Sequence, residues 1–249
     1  MTRIASHRGG TLEFGDSTPQ GFIATSQMNV EEVEFDVHPT ADGGIVVHHD
    51  ATLDATTDTS GTIAQMTLAQ VRRATIRYSA GGHPLALEEL CTIYADSRVD
   101  FRCEIKPGVD GNPYPDFVER VVSELDKNGM LGRTTFSSFL IPSMDTLSKA
   151  TDRPALWLVS PPVLKQLGTD AVIELARAHR IKEIGVHIDT ADAALQRSVV
   201  ASGLDFGCWA AHSAFQIDKA LSLGVKVFTT DRPTVAIRLR KEFLAGGAA

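Results

Sequence analysis

Glu34 and Asp36 stand two residues apart in the otherwise apolar run Val33-Glu34-Phe35-Asp36-Val37-His38-Pro39. Residues i and i+2 of a strand share a face, so both carboxylates project together while Phe35 and Val37 project to the other side. Two acids on one face of a buried strand repel unless a positive charge lies between them, and a divalent cation is the simplest such charge. A second strand-like run, Phe101-Arg102-Cys103-Glu104-Ile105-Lys106, repeats the spacing with Glu104 and Lys106. Three carboxylates, Glu34, Asp36 and Glu104, offer hard oxygen donors that suit Mg²⁺ or Ca²⁺, with Mn²⁺ admissible, better than zinc. Lys106, and Arg8 near the start of the chain, add fixed positive charge for a doubly contacted anion such as a phosphate. His7, and His49 in Ile45-Val46-Val47-His48-His49-Asp50, can then move protons, one as base toward a nucleophile and one as acid toward a leaving alkoxide. Each has a plainer reading. Glu104 and Lys106 could be only a salt bridge, and His49 a loop histidine paired with Asp50.

These groups act together only if the chain brings them to one place. Short β-branched or aromatic runs recur at Ile4 to Ser6, Val33 to Val37, Phe101 to Ile105, Thr134 to Ser137, Ala155 to Val159, Glu183 to Ile188, Asp205 to Trp209 and Val225 to Thr229. Segments of helical periodicity lie between them, at Pro115 to Asn128, Ile141 to Ala150, Thr169 to His179, Ala191 to Ser202 and Ser213 to Leu223, with Gly129, Gly203 and Gly224 where left-handed caps are wanted. Eight strand–helix units in 249 residues predict a closed (β/α)8 TIM barrel, an α/β fold with its reactive groups at the C-terminal ends of the strands. The alternative, an open doubly wound sheet, calls for a glycine-rich phosphate loop after the first strand, where this chain has His7-Arg8-Gly9-Gly10. The rhythm breaks at residues 38–84, where Asp42-Gly43-Gly44, Ile45 to Val47 and a Thr- and Asp-rich run predict a hairpin and loop insertion over the mouth of a single domain, 1–249.

Composition excludes some partners. A net charge of -7 with dispersed Lys and Arg supplies no basic stripe for nucleic acid or anionic membrane, and no apolar run spans a bilayer. Cys91, Cys103 and Cys208 have no zinc spacing and read as reduced, buried thiols, and the early charges of Met1-Thr2-Arg3 give no signal peptide, so a cytoplasmic location is expected. The partner expected is a small-molecule phosphodiester, and homo-oligomer formation is left open.

Taken in order, His7-Arg8-Gly9, Glu34-Phe35-Asp36-Val37, Asp42 through Asp50, and Glu104-Ile105-Lys106 resemble the signature blocks of the glycerophosphodiester phosphodiesterases. The resemblance continues through Phe136-Ser137-Ser138-Phe139, Trp209 and Thr230-Asp231-Arg232-Pro233, and so covers nearly the whole chain. It implies a metal-dependent barrel that cleaves a glycerophosphodiester to glycerol 3-phosphate and an alcohol, the glycerol 2-hydroxyl attacking phosphorus. By position, Glu34, Asp36 and Glu104 would hold the metal, His7 and His49 would be the catalytic pair, Arg8 and Lys106 would hold phosphate, and Trp209 would wall the pocket. The chain departs from the family pattern at Gly15-Asp16-Ser17-Thr18, at Leu140 and at Ala210-Ala211-His212, none of which belongs to the proposed metal or histidine set, so the departures bear on the alcohol and glycerol contacts and with them on the substrate. Among these His212 is a candidate substrate contact, whereas Trp157 and His187 read as core or hydrogen-bonding residues. A sugar or polyol diester, or a lysophospholipid, is an alternative substrate. Two other classes also fit the barrel: a Schiff-base enzyme using Lys106, and a diester-binding barrel without catalysis.

Overall fold

The computed structural model describes residues 1–78 and 81–246. Among the described residues nine strands form one sheet: β1 (Arg3–His7), β2 (Glu32–Pro39), β3 (Ile45–Val47), β4 (Asp100–Ile105), β5 (Thr134–Ser138), β6 (Ala155–Val159), β7 (Glu183–His187), β8 (Asp205–Trp209) and β9 (Val227–Thr230). Eight of them run parallel in the order β1-β2-β4-β5-β6-β7-β8-β9, and β9 pairs with β1 to close the ring. This is the TIM barrel that the sequence predicts. β3 lies outside the ring, antiparallel to β2, with Val37 opposite Val47.

Each ring strand alternates between the barrel interior and the helical layer. All eight residues of β2 are buried, because Val33, Phe35 and Val37 pack outward while Glu32, Glu34 and Asp36 face the axis. Phe35 meets Phe101 edge to face at 4.9 Å, and Phe101 meets Tyr94 at 5.3 Å, which fixes β2 and β4 against the helix Leu87–Tyr94. The register Asp36↔Glu104 places the two acids level on adjacent strands. At the closed end of the barrel, Arg102 donates to Glu32 Oε2 at 2.6 Å and to Glu183 Oε1 at 3.4 Å, and Lys226 pairs with Glu183. This ionic floor follows from the same alternation, since Arg102 shares the inward face of Glu104.

Gly129, Gly203 and Gly224 take the expected left-handed caps, but the helix before β7 ends on Arg180 at φ 57. That helix, Pro161–Ala178, also starts earlier than periodicity suggests and breaks at Gly168. The helices Pro19–Ser26 and Pro233–Gly246 were not singled out from sequence. In the expected excursion at 38–84, residues 79 and 80 lie outside the described residues. The rest carries its own apolar cluster of Val46, Leu53, Ile63, Val71 and Ala74. Cys91, Cys103 and Cys208 are free and buried.

Candidate active site

The chain leaves β1 through Arg8, Gly9 and Gly10, all at positive φ. A side chain at Gly9 would come within 3.0 Å of the Phe22 backbone nitrogen, so this tight exit demands glycine there. The turn presents His7 at the strand end, where its Nδ1 lies 2.5 Å from Asp231 Oδ1, just beyond β9. A carboxylate only accepts, so Nδ1 carries the proton, and Nε2 faces Glu34 Oε2 at 3.7 Å. Burial pulls the His7 pKa down, but the Glu34 charge and the Asp231 bond outweigh it and leave it raised. Asp231 in turn donates its backbone N–H to His212 Nδ1 at 3.0 Å. Burial holds His212 down at about 4, so it is a neutral ring with its proton on Nε2.

Glu34, Asp36 and Glu104 are all buried, with one carboxylate oxygen from each within 4.8 Å of the others. Two cations face them. Lys106 Nζ lies 2.9 Å from Glu104 Oε1 and 3.4 Å from Asp36 Oδ1, and Arg8 Nε lies 3.1 Å from Asp36 Oδ2. Arg8 is shared further, because its Nη1 donates to Asp16 Oδ2 at 2.7 Å. Three carboxylates therefore face two fixed cations in a buried space. Burial and the Asp36 charge push Glu34 up to about 8. Burial also raises Glu104 in spite of Lys106, whereas Lys106 and Arg8 overcome burial at Asp36 and hold it well below the usual carboxylate range. Among the described residues Asp36 Oδ2 and Glu104 Oε1 are met only by these two cations, Arg8 and Lys106. Three buried carboxylates converging with an all-oxygen donor set fit a hard divalent cation.

His49 follows β3 and pairs through Nδ1 with Asp50 Oδ1 at 2.6 Å. Its neighbour His48 turns away, buried beside Thr56 with its pKa lowered by burial. A cavity of about 270 Å³ opens at the C-terminal ends of the strands. His7, Arg8, Glu34, His49, Glu104, Lys106, Trp209 and His212 line it together, and Asp36 lies behind Arg8 and Lys106. The opposite wall is apolar, with Phe139, Leu156 and Leu158 beside Trp209. Trp209 is braced edge to face by Phe139 at 5.5 Å and His187 at 4.6 Å. Leu140 and Trp157 are outside the lining, and Trp157 instead donates to Phe139 O at 3.3 Å.

The sequence reading assigned no role to three residues that the structure brings into play. Asp231 sits in the quoted Thr230-Asp231-Arg232-Pro233 block and orients His7. Asp16, at the first departure from the family pattern, draws on the Arg8 charge. Arg102, two residues before Glu104, reaches the cavity from below.

The sequence profile of the Glycerophosphoryl diester phosphodiesterase family matches residues 7–235. A glycerophosphodiester phosphodiesterase from Bacillus altitudinis is 26% identical over 252 residues, 97% of this chain and 99% of that protein. A crystal structure from Agrobacterium tumefaciens, assigned to the glycerophosphoryl diester phosphodiesterases, shares 71% identity and a TM-score of 0.98, covering 98% of this chain and 99% of its own. An Oleispira antarctica phosphodiesterase, solved in complex with the product sn-glycerol-3-phosphate, has the same fold at 18% identity and a TM-score of 0.80, with 97% of each chain covered.

Proposed function

The chain belongs to the glycerophosphoryl diester phosphodiesterase family, and from that premise we propose that it hydrolyses a glycerophosphodiester to glycerol 3-phosphate and an alcohol. The observation that carries this reading is one cavity in which three buried, converging carboxylates face two histidines, each with Nδ1 on an aspartate. Glu34, Asp36 and Glu104 would hold a divalent cation, Mg²⁺ or Ca²⁺ with Mn²⁺ admissible, by the hardness of their oxygens. When bound, that cation neutralises charge on the phosphoryl oxygens.

The remaining chemistry falls to side chains. Asp231 fixes the His7 tautomer, so Nε2 is free to take the proton of the attacking group, either water or the glycerol 2-hydroxyl, the latter giving a cyclic phosphate that water then opens to glycerol 3-phosphate. His49, held at Nδ1 by Asp50, gives a proton to the leaving alkoxide. Arg8 and Lys106 hold the non-bridging phosphate oxygens when substrate displaces part of their pairing with Asp16 and Glu104. Trp209 walls the organic group, and His212 contacts it from the side of Asp231. The whole chain with its excursion at 38–84 acts as one catalytic domain on a small-molecule diester. Among the described residues no helix is long and apolar enough to cross a membrane. A Schiff base at Lys106 is disfavoured, because two carboxylates raise its pKa against burial and keep it charged. The sn-glycerol-3-phosphate bound to the Oleispira relative supports the product named.

The test is a panel of glycerophosphodiesters that differ in alcohol, with sugar and polyol diesters and a lysophospholipid, assayed with Mg²⁺, Ca²⁺ and Mn²⁺. Release of glycerol 3-phosphate is expected, and kcat/KM ranks the alcohols. No turnover of any diester with any of these ions would refute the reading.

A further inference from the structure

His38 belongs to the run that carries Glu34 and Asp36, yet the chemistry described so far does not use it. It is 1% exposed, and both of its ring nitrogens are engaged. Nε2 lies 3.0 Å from the backbone carbonyl oxygen of His49, and Nδ1 lies 3.0 Å from the hydroxyl of Tyr114. A carbonyl oxygen only accepts, so Nε2 must bear the proton, and Nδ1 must accept from Tyr114. The ring is thereby locked in one tautomer and one orientation. Tyr114 stands edge-on to His38 and edge-on to Phe117, the first residue of the helix Phe117–Lys127. The His48 N–H, one residue earlier than the clamped carbonyl, donates to Asp36 O at 3.0 Å. Two bonds from the rigid strand β2 therefore seize two successive residues just after β3.

His49 needs such support. Its side chain is about one-third exposed and, among the described residues, has a single protein partner, the adjacent and similarly exposed Asp50. Asp50 travels with the same loop and cannot fix the ring relative to the phosphate site. We propose that His38 is a positioning residue that sets where His49 meets the leaving alcohol, by clamping the His49 carbonyl from β2. The proposal rests on the assignment of His49 as the acid, and it predicts a defect confined to leaving groups that need one.

His38→Gln and His38→Asn separate the two bonds. The glutamine amide nitrogen spans the same distance from Cβ as Nε2 and can reach the His49 carbonyl. The asparagine amide occupies the Nδ1 side only and leaves the carbonyl without a donor. Each is assayed on an alkyl glycerophosphodiester and on glycerol p-nitrophenyl phosphate, whose leaving group departs without protonation. General acid help is worth about 10²- to 10⁴-fold, so His38→Asn should lower kcat on the alkyl diester by roughly tenfold or more, with KM little changed. On the aryl diester the loss should stay within about threefold, and His38→Gln should recover most alkyl activity. Equal losses on both substrates, or Gln and Asn variants that behave alike, would overturn the proposal. Should His38→Asn not fold, Tyr114→Phe leaves the clamp in place and is expected to keep alkyl turnover within about threefold. A large alkyl-selective loss in that variant would overturn the role of His38. Wild-type protein inactive on both diesters would instead defeat the proposed function.

Discussion

Removing one carboxylate from the site should stabilise the metal-free protein while destroying its use. Glu34 ionises near 4.5 when unfolded and only at about 8 when folded, because burial and the neighbouring Asp36 charge oppose its anion. An acid raised by folding contributes stability that is complete below pH 4.5 and is lost as pH climbs toward 8. At pH 7 the unfolded chain has given up the proton that the folded chain still holds, and the shift converts to a penalty of about 3 kcal/mol. Glu34→Gln keeps the shape and removes the charge, so without metal it should escape most of this penalty. A domain of this size gains roughly 2–4 °C per kcal/mol, so a rise in Tm of about 5 °C or more is expected at pH 7. The assay is differential scanning calorimetry in chelator at pH 4.5, 7 and 8. The gap should be small at pH 4.5 and widen upward. Saturating Mg²⁺ or Mn²⁺ should reverse the order, because only the wild type keeps all three oxygen donors. A variant less stable than wild type in chelator at pH 7, or a cation that stabilises both proteins equally, would refute the reasoning.

Two further substitutions test the supports of the site. Asp231→Ala removes the acceptor that holds the His7 Nδ1 proton, so kcat should fall about 10²- to 10⁴-fold, as when a catalytic histidine loses its orienting aspartate. The Asp231 bond is one cause of the raised His7 pKa, so the limb of the pH–rate profile that reports His7 should also move to lower pH. An unchanged profile would remove Asp231 from the mechanism. Arg102→Met leaves Glu32 and Glu183 buried without their shared partner and should cost about 3–5 kcal/mol. Calorimetry should show a Tm lower by roughly 10 °C, and an unchanged Tm would contradict the ionic floor.

Much of this was legible in the chain. The alternation Val33, Phe35, Val37 against Glu34 and Asp36 fixes which side chains enter the barrel, because strand side chains alternate strictly. The same rule in β4 carries Arg102 inward with Glu104, although its partners lie 70 and 81 residues away and no local pattern names them. His7 meets Asp231 across 224 residues, a contact created only when β9 closes against β1. His38 sits in a buried run and reads as an ordinary core histidine until β3 folds back and offers its following carbonyl. Arg180 escaped notice as a helix end because it occupies a left-handed cap usually left to glycine. In each case the missing information is tertiary: residue type and spacing give the direction of a side chain, and the closed ring gives its partner.

The most direct measurement of the central claim starts from protein stripped with chelator and follows glycerol 3-phosphate released from a glycerophosphodiester as Mg²⁺, Ca²⁺ or Mn²⁺ is added in steps. Activity should be absent at first and rise to saturation as Glu34, Asp36 and Glu104 are loaded, and the Glu104→Gln variant should need far more metal to reach a lower plateau. Full turnover in excess chelator would contradict the account.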